Sequence, residues 1–285
     1  MQRIEITHTT TYTYAASVRF LVHKLHVRPR EGHDIRIESS ALRISPAYSI
    51  SWQRDVYGNS VAILNFEESA DKLEIISTVM VEHYEGSIVT FELTDQARCF
   101  PVAYDEIEQI DLIPCQTPVF PQDKAILDCW LAEIWQPGTA IDSMAFLNLL
   151  NEHIANDIAY IVREEPGVQS PATTLNLGRG SCRDMATLFI EACRHQGLAT
   201  RFVSGYLVST AAVEDTATTH AWAEVYLPGA GWRGFDSTSG QLVGGDHIAV
   251  AVHRHPEAVP PVSGAFVGPP ESKPKMSVDV QVRRL

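Results

Sequence analysis

Three short segments hold the residue types that nucleophilic catalysis needs. Cys182 lies in Gly178-Arg179-Gly180-Ser181-Cys182-Arg183-Asp184, where a glycine-rich turn delivers a cysteine to the first turn of a helix. His220 follows in Thr219-His220-Ala221-Trp222, and Asp236 in Gly234-Phe235-Asp236-Ser237-Thr238. In that order they supply a nucleophile, a base and a carboxylate that orients the base. The Ser181-x-x-Asp184 pattern reads as a capping box with Asp in place of Glu or Gln, which starts a helix here. Cys182 then takes the first helical position, where unpaired N–H groups and the positive end of the helix dipole favour a thiolate. Gly178 and Gly180 permit unusual backbone angles and the close approach of a substrate.

The elements that must position these groups are legible on either side. Met185, Leu188, Phe189, Ala192 and Cys193 recur at helical spacing after Cys182, and Gly197 ends that helix. Strands are expected over 200–209, 220–227 and 232–238, the last two joined by Pro228-Gly229-Ala230-Gly231. If Tyr226 faces Trp232, then Trp222 faces Asp236, and His220 becomes a diagonal neighbour of Asp236 on one sheet face. Diagonal neighbours lie about 7–8 Å apart, within reach of an imidazole–carboxylate hydrogen bond. A register shifted by one residue puts the two on opposite faces.

The first hundred residues read as short strands. They are 4–14, 23–28, 34–38, 41–44, 49–52, 61–66 and 73–84, with Asp55-Val56-Tyr57-Gly58-Asn59 as a turn. Such spacing predicts an antiparallel sandwich. Residues 101–121, with four prolines, mark its end. Helical periodicity follows at Ile126–Ile134, stopped by Pro137-Gly138, and from a cap at Asp142 or Ser143 through Ile154. The Pro- and Gly-rich residues 256–274 read as an extended tail, and the alternating residues 277–283 as a last strand. The expected organisation is a β-rich domain over 1–115, an α+β core over 116–255 and a tail over 256–285.

The whole chain has 285 residues and a net charge of −13, with Arg28-Pro29-Arg30 and Arg283-Arg284 as isolated basic pairs. Nucleic-acid binding, which needs clustered Lys and Arg, is therefore not expected. No membrane-spanning apolar run and no secretory signal are visible. Five cysteines without a C-x-x-C pair argue against a disulfide framework and for a reducing, cytoplasmic setting.

Gly178-x-Gly180-Ser-Cys-Arg-Asp184, Ala199-Thr-Arg-Phe-Val-Ser-Gly-Tyr206, Thr219-His-Ala-Trp-Ala-Glu-Val-Tyr226 running on to Trp232, and Gly234-Phe-Asp236 resemble bacterial transglutaminase-like proteins. The resemblance covers about residues 140–255, and the β-rich first part looks like the region often fused to that core. It implies a papain-like core, helices packed on an antiparallel sheet, preceded by a sandwich-like domain. Cys182 would attack a carbonyl, His220 would be its base, and Asp236 would orient the histidine. The implied reaction is thioester chemistry on the amide bonds of a peptide or protein substrate, with no cofactor. Water as the resolving group gives a protease or amidase, and an amine gives acyl transfer. Gln169 and Tyr160 are candidates for a second oxyanion donor beside the Cys182 N–H. The chain departs from the family at Ser237, where proline is usual, and at His253-Arg254-His255-Pro256.

Plainer readings stand beside these. Taken singly, His220 reads equally as a strand-start histidine bonded to a carbonyl, and Asp236 as the cap of a turn. Cys193 reads as core, and Arg183 and Asp184 as local capping and pairing. His247, His253 and His255 could suggest a metal site, but no nearby acidic or cysteine cluster completes it, so none is expected. The alternative function is a catalytically idle peptide-binding module on the same fold.

Overall fold

The computed structural model describes residues 1–84, 91–208, 219–270 and 272–285. The first part consists of strands β1 (Gln2–Phe20), β2 (His23–Leu25), β3 (Ile35–Ser45), β4 (Tyr48–Arg54), β5 (Ser60–Phe66) and β6 (Ser69–His83). Strand β1 pairs antiparallel with β6, Ile4 facing Val81 and Ile6 facing Val79, and β6 pairs in turn with β3. A second sheet runs β2-β5-β4. Tyr14, Val18 and Phe20 from the first sheet pack against Leu25, Ala62 and Leu64 from the second, so the predicted sandwich is present. The two strands expected at 34–38 and 41–44 are one strand, bulged between Ile37 and Ser39. The polar run Glu38-Ser39-Ser40 reads as a turn, yet pairing with β6 carries the chain straight through it.

The region expected to be a linker holds helix α1 (Glu106–Gln116), capped by the Asp105 carboxylate, which accepts from the backbone of Ile107 and Glu108. Pro114 falls in its last turn, where it removes the N–H that would bond the Ile110 carbonyl. Next come α2 (Lys124–Ile134), α3 (Ser143–Asp157, capped by Asp142), α4 (Pro171–Leu177) and α5 (Cys182–His195). A five-stranded antiparallel sheet completes the core: β7 (Thr200–Leu207), β8 (Thr219–Leu227), β9 (Gly231–Asp236), β10 (Gln241–Leu242) and β11 (His247–His253), in the order β10-β9-β8-β7-β11.

Helix α5 is buried at every position from Asp184 to Arg194. Met185, Leu188 and Phe189 share one core with Ala221, Ala223, Val225 and Phe235, and Phe189 stacks on Phe235 at 5.3 Å. Burying a side chain such as Phe189 stabilises the fold by about 1.5–3 kcal/mol. The helix also buries a charge pair. Glu191 accepts from the Val119 and Phe120 N–H groups, and Arg194 donates to Glu191 and to the carbonyls of Cys115, Thr200 and Arg254. The pair therefore stitches loops around the helix, as a buried ion pair must if its charges are to be satisfied.

The last residues return to the first part. Strand β12 (Lys275–Arg284) pairs with β1, as do Phe266 and Val267, while Val262 and Ser263 pair with β2. Ile4, Ile6, Val79 and Val81 belong to the same core as α5. The turn at 55–59 has a specific task. Asn59, fully buried, donates to the Val252 carbonyl at 2.8 Å and accepts from the Val252 N–H at 2.9 Å, covering the outer edge of β11. All five cysteines are free, and no helix among the described residues is long and apolar enough to cross a membrane.

Candidate active site

Helix α5 begins as its sequence requires. Helix α4 ends at Gly178 in the left-handed region, with φ 60°. Residues 179–180 then form a short parallel ladder with residues 159–160. Gly180 is needed here because a Cβ would lie 2.9 Å from that of Asp184. Asp184, fully buried, accepts from the Ser181 N–H at 2.9 Å and the Ser181 hydroxyl at 2.7 Å. It also accepts from the Gln169 N–H at 2.8 Å and takes both arms of the Arg163 guanidinium. Burial, the largest influence, pushes this carboxyl up, but Arg163 and the backbone donors hold it below its ordinary range. The local capping expected of Asp184 is therefore present, within a larger network that pins the turn carrying Cys182. Arg183 donates to the carbonyls of Arg163 and Glu165.

The hairpin adopts the predicted register, Tyr226 opposite Trp232 and Ala223 opposite Phe235. Ala221, Ala223 and Phe235 face α5, whereas Trp222 packs with Val203 and Val252. On that second face His220 Nε2 lies 3.0 Å from Asp236 Oδ2, and a hydrogen bond with Cys182 occupies the imidazole as well. With Nε2 on the carboxylate, the sulfur is left to Nδ1. Burial, the strongest single influence, lowers the His220 pKa, but Asp236 and Cys182 together raise it to about 10. Asp236 is buried and would be pushed up by that burial, yet the two histidines beside it hold it far below the usual carboxylate range.

The second of those histidines is His247, whose Nε2 lies 3.2 Å from the same Asp236 oxygen. This corrects the expectation that no acidic cluster forms around His247. Residues 241 to 247 cross the sheet and bring the ring over Trp222, with centroids 5.2 Å apart. Glycines make the crossing feasible. A Cβ at Gly205 would strike the Trp222 ring at 2.6 Å, and one at Gly234 would strike Val243 at 2.5 Å. His220, Asp236 and His247 are the group of ligand-type side chains drawn together among the described residues. His253 instead packs against Tyr57, with its Nδ1 accepting from the His255 N–H.

Of the two oxyanion-donor candidates, Gln169 is anchored by its backbone and its side-chain oxygen, which leaves its side-chain NH2 as the group that could donate. Its N–H goes to Asp184, and its side-chain oxygen accepts from Thr174. Tyr160 is about half exposed, and its hydroxyl pKa is pushed up first by burial and then by the charge of Cys182, which places it near the sulfur. Cys193 is fully buried in the core, as read. Arg163 has no periodic or local sequence signal, since it acts from an irregular segment, and His247 meets Asp236 from the first residue of β11.

Comparison with known proteins agrees with this architecture. Residues 4–82 match the bacterial transglutaminase-like N-terminal region, and residues 138–237 match the transglutaminase-like superfamily. The chain is thus a bacterial transglutaminase-like protein, and Cys182, His220 and Asp236 all fall within the second match. An uncharacterized protein of Mycobacterium tuberculosis is 27% identical over 98% of this chain and 92% of its own. One of Mycobacterium leprae is 25% identical over the full length of both. The crystal structure of a candidate cysteine protease from Cytophaga hutchinsonii superposes with a TM-score of 0.76, covering 100% of this chain and 91% of that one at 20% identity, a likeness of fold.

Proposed function

We propose that this protein is a cysteine-dependent enzyme that acts on amide bonds of peptides or glutamine side chains through a thioester. The observation that carries the reading is the imidazole of His220, engaged by Cys182 on one side and by the Asp236 carboxylate on the other. His220 takes the thiol proton while Asp236 holds the Nε2 proton and stabilises the resulting imidazolium. The sulfur attacks the carbonyl carbon, and the oxyanion forms at the start of α5, faced by the Cys182 N–H. Gln169, through its side-chain NH2, and Tyr160 are the two side-chain candidates for the second donor. The carbon–nitrogen bond breaks as His220 returns its proton to the departing amine or ammonia. Water or a second amine then releases the acyl group from Cys182.

The test is the alkylation rate of each cysteine with iodoacetamide near neutral pH, read by peptide mass spectrometry. Cys182 should label far faster than the exposed Cys99 and Cys129, and His220→Ala should remove the difference. Equal rates at all three would leave the idle peptide-binding module as the better account. Release of ammonia from a glutamine peptide, or of a new amine terminus from a cleaved one, then identifies the bond attacked.

A further inference from the structure

The geometry assigns to His247 the part of a positioning residue, a second imidazole donor that clamps Asp236 against His220. This rests on the thiol-enzyme reading above. The argument begins with the proton on His247. Its backbone N–H is bonded to the Gly244 carbonyl at 3.0 Å, and its Nδ1 faces the Gly244 N–H at 3.5 Å. A ring nitrogen facing a donor must be the acceptor, so the proton sits on Nε2. Nε2 is the atom 3.2 Å from Asp236 Oδ2. The same oxygen receives His220 Nε2 at 3.0 Å, and Oδ1 receives the Thr238 N–H at 3.0 Å.

Asp236 is thus gripped by three donors from three segments, and its carboxylate cannot swing off His220 without breaking at least one of them. The clamp also divides the negative charge of Oδ2 between two imidazoles, so Asp236 stabilises the His220 imidazolium less and its Nδ1 proton passes more readily to the leaving amine. Trp222 fixes the plane of the clamp, lying edge-on to His247 at 5.2 Å and 6.3 Å from His220. Among the described residues, Cys182 bonds His220, and Tyr160 in turn feels Cys182. Asp246 is turned away and engaged by Arg284.

The same three side chains resemble a metal-binding set, but the tautomer points the other way. A ligating histidine normally donates its second ring N–H to an acceptor, whereas His247 Nδ1 faces a donor. Two protons on Oδ2, one from each ring, account for the arrangement.

The experiment compares Cys182 alkylation by iodoacetamide in the wild type, His247→Ala, His247→Gln and His220→Ala, with 15N NMR of the histidine tautomers and a Zn2+ titration. Gln can present an N–H where His247 Nε2 stands. His247→Ala should slow Cys182 by about ten- to a hundredfold, as small misplacements of a catalytic group do. His247→Gln should recover most of that loss, and wild-type His247 should show the Nε2–H tautomer.

If Cys182 is fast in the wild type and lost in His220→Ala but unaffected in His247→Ala, the clamp is refuted while the thiol-enzyme reading stands. If wild-type Cys182 is no faster than Cys99, both fall. His247→Gln as slow as His247→Ala would reduce His247 to a shape-filling ring and overturn the proposal. So would one equivalent of Zn2+ bound by a His247 that carries its proton on Nδ1. Should His247→Ala fail to fold, the Gln variant and the wild-type tautomer decide the matter.

Discussion

Replacing Asp184 by Asn tests how the nucleophile is held. The substitution keeps the size of the side chain and removes only its charge and one acceptor. Every neighbour of the wild-type carboxylate is a donor. Ser181 N–H, Ser181 Oγ and Arg163 Nε lie on Oδ2, and Gln169 N–H and Arg163 Nη2 on Oδ1. Whichever way the Asn amide is turned, its NH2 group meets donors, and Arg163 loses its buried counter-charge and keeps only the exposed Glu165 at 3.7 Å. Breaking one side of a buried pair costs about 3–5 kcal/mol, against a total stability of roughly 5–15 kcal/mol. At about 2–4 °C per kcal/mol, Asp184→Asn should melt roughly 6 °C or more below the wild type by circular dichroism. The pH dependence gives the sign. The folded carboxyl is held below its ordinary value of 3.8, so its contribution is complete above that value and disappears as pH falls through the folded one. The gap between the two proteins should therefore be constant from neutral pH down to about 4–5 and close below it. Cys182 alkylation should slow with the same substitution, because the turn before it is released. A variant that melts within about 2 °C of the wild type, or a gap that persists undiminished at low pH, would refute the argument.

Three further outcomes follow from other parts of the molecule. His220 holds its proton to about 10 when folded against 6.5 when not. The stability it contributes is therefore complete below 6.5 and lost as pH rises towards 10, and denaturant titrations of His220→Gln should lack that alkaline slope. Gly205→Ala places a Cβ 2.3 Å from the Ile248 carbonyl and 2.6 Å from the Trp222 ring. It should cost about 1–3 kcal/mol by overpacking, shift the tryptophan fluorescence and slow Cys182. Asn59→Asp removes the donor to the Val252 carbonyl and sets a carboxylate against it, so urea unfolding should show a loss of about 1–3 kcal/mol or more.

What could be read in advance was local. The start of α5 was legible because Ser181-x-x-Asp184 and the apolar spacing after it both encode a helix, and one short loop set the hairpin register that joins His220 to Asp236. The sandwich was legible from alternation. What escaped was made by contacts distant in sequence or by charges in unexpected places. Arg163 reaches Asp184 from 21 residues upstream, out of an irregular segment without period. Glu191 and Arg194 carry no sign of burial in the sequence, yet loops close over both. Helix α1 was hidden by Pro114, and the unity of β3 by its polar bulge. His247 carried no local cue at all, since it meets Asp236 only because a loop crosses three strands to reach it. The free acceptor at Nδ1 that marks it as a donor on its other side exists only once Gly244 has turned beside it.

That crossing also determines how the first part of the chain bears on the site. Strand β11 begins at His247 and is covered on its outer side at Val252 by Asn59, from the sandwich. Arg30 braces the same joint, donating to Asn59 and to the Tyr57 carbonyl while its own N–H bonds Ala249. A β-strand transmits position along its length far better than a loop does, because each residue is pinned by its ladder. A loosened Asn59 should therefore be felt at His247 along β11, across the register shift at Val250 in its pairing with β7. If His247 clamps Asp236, the sandwich then acts as the far anchor of the catalytic carboxylate, and lesions at Asn59 should lower Cys182 reactivity as well as stability. A sandwich that served only to enlarge the core would produce the second effect without the first.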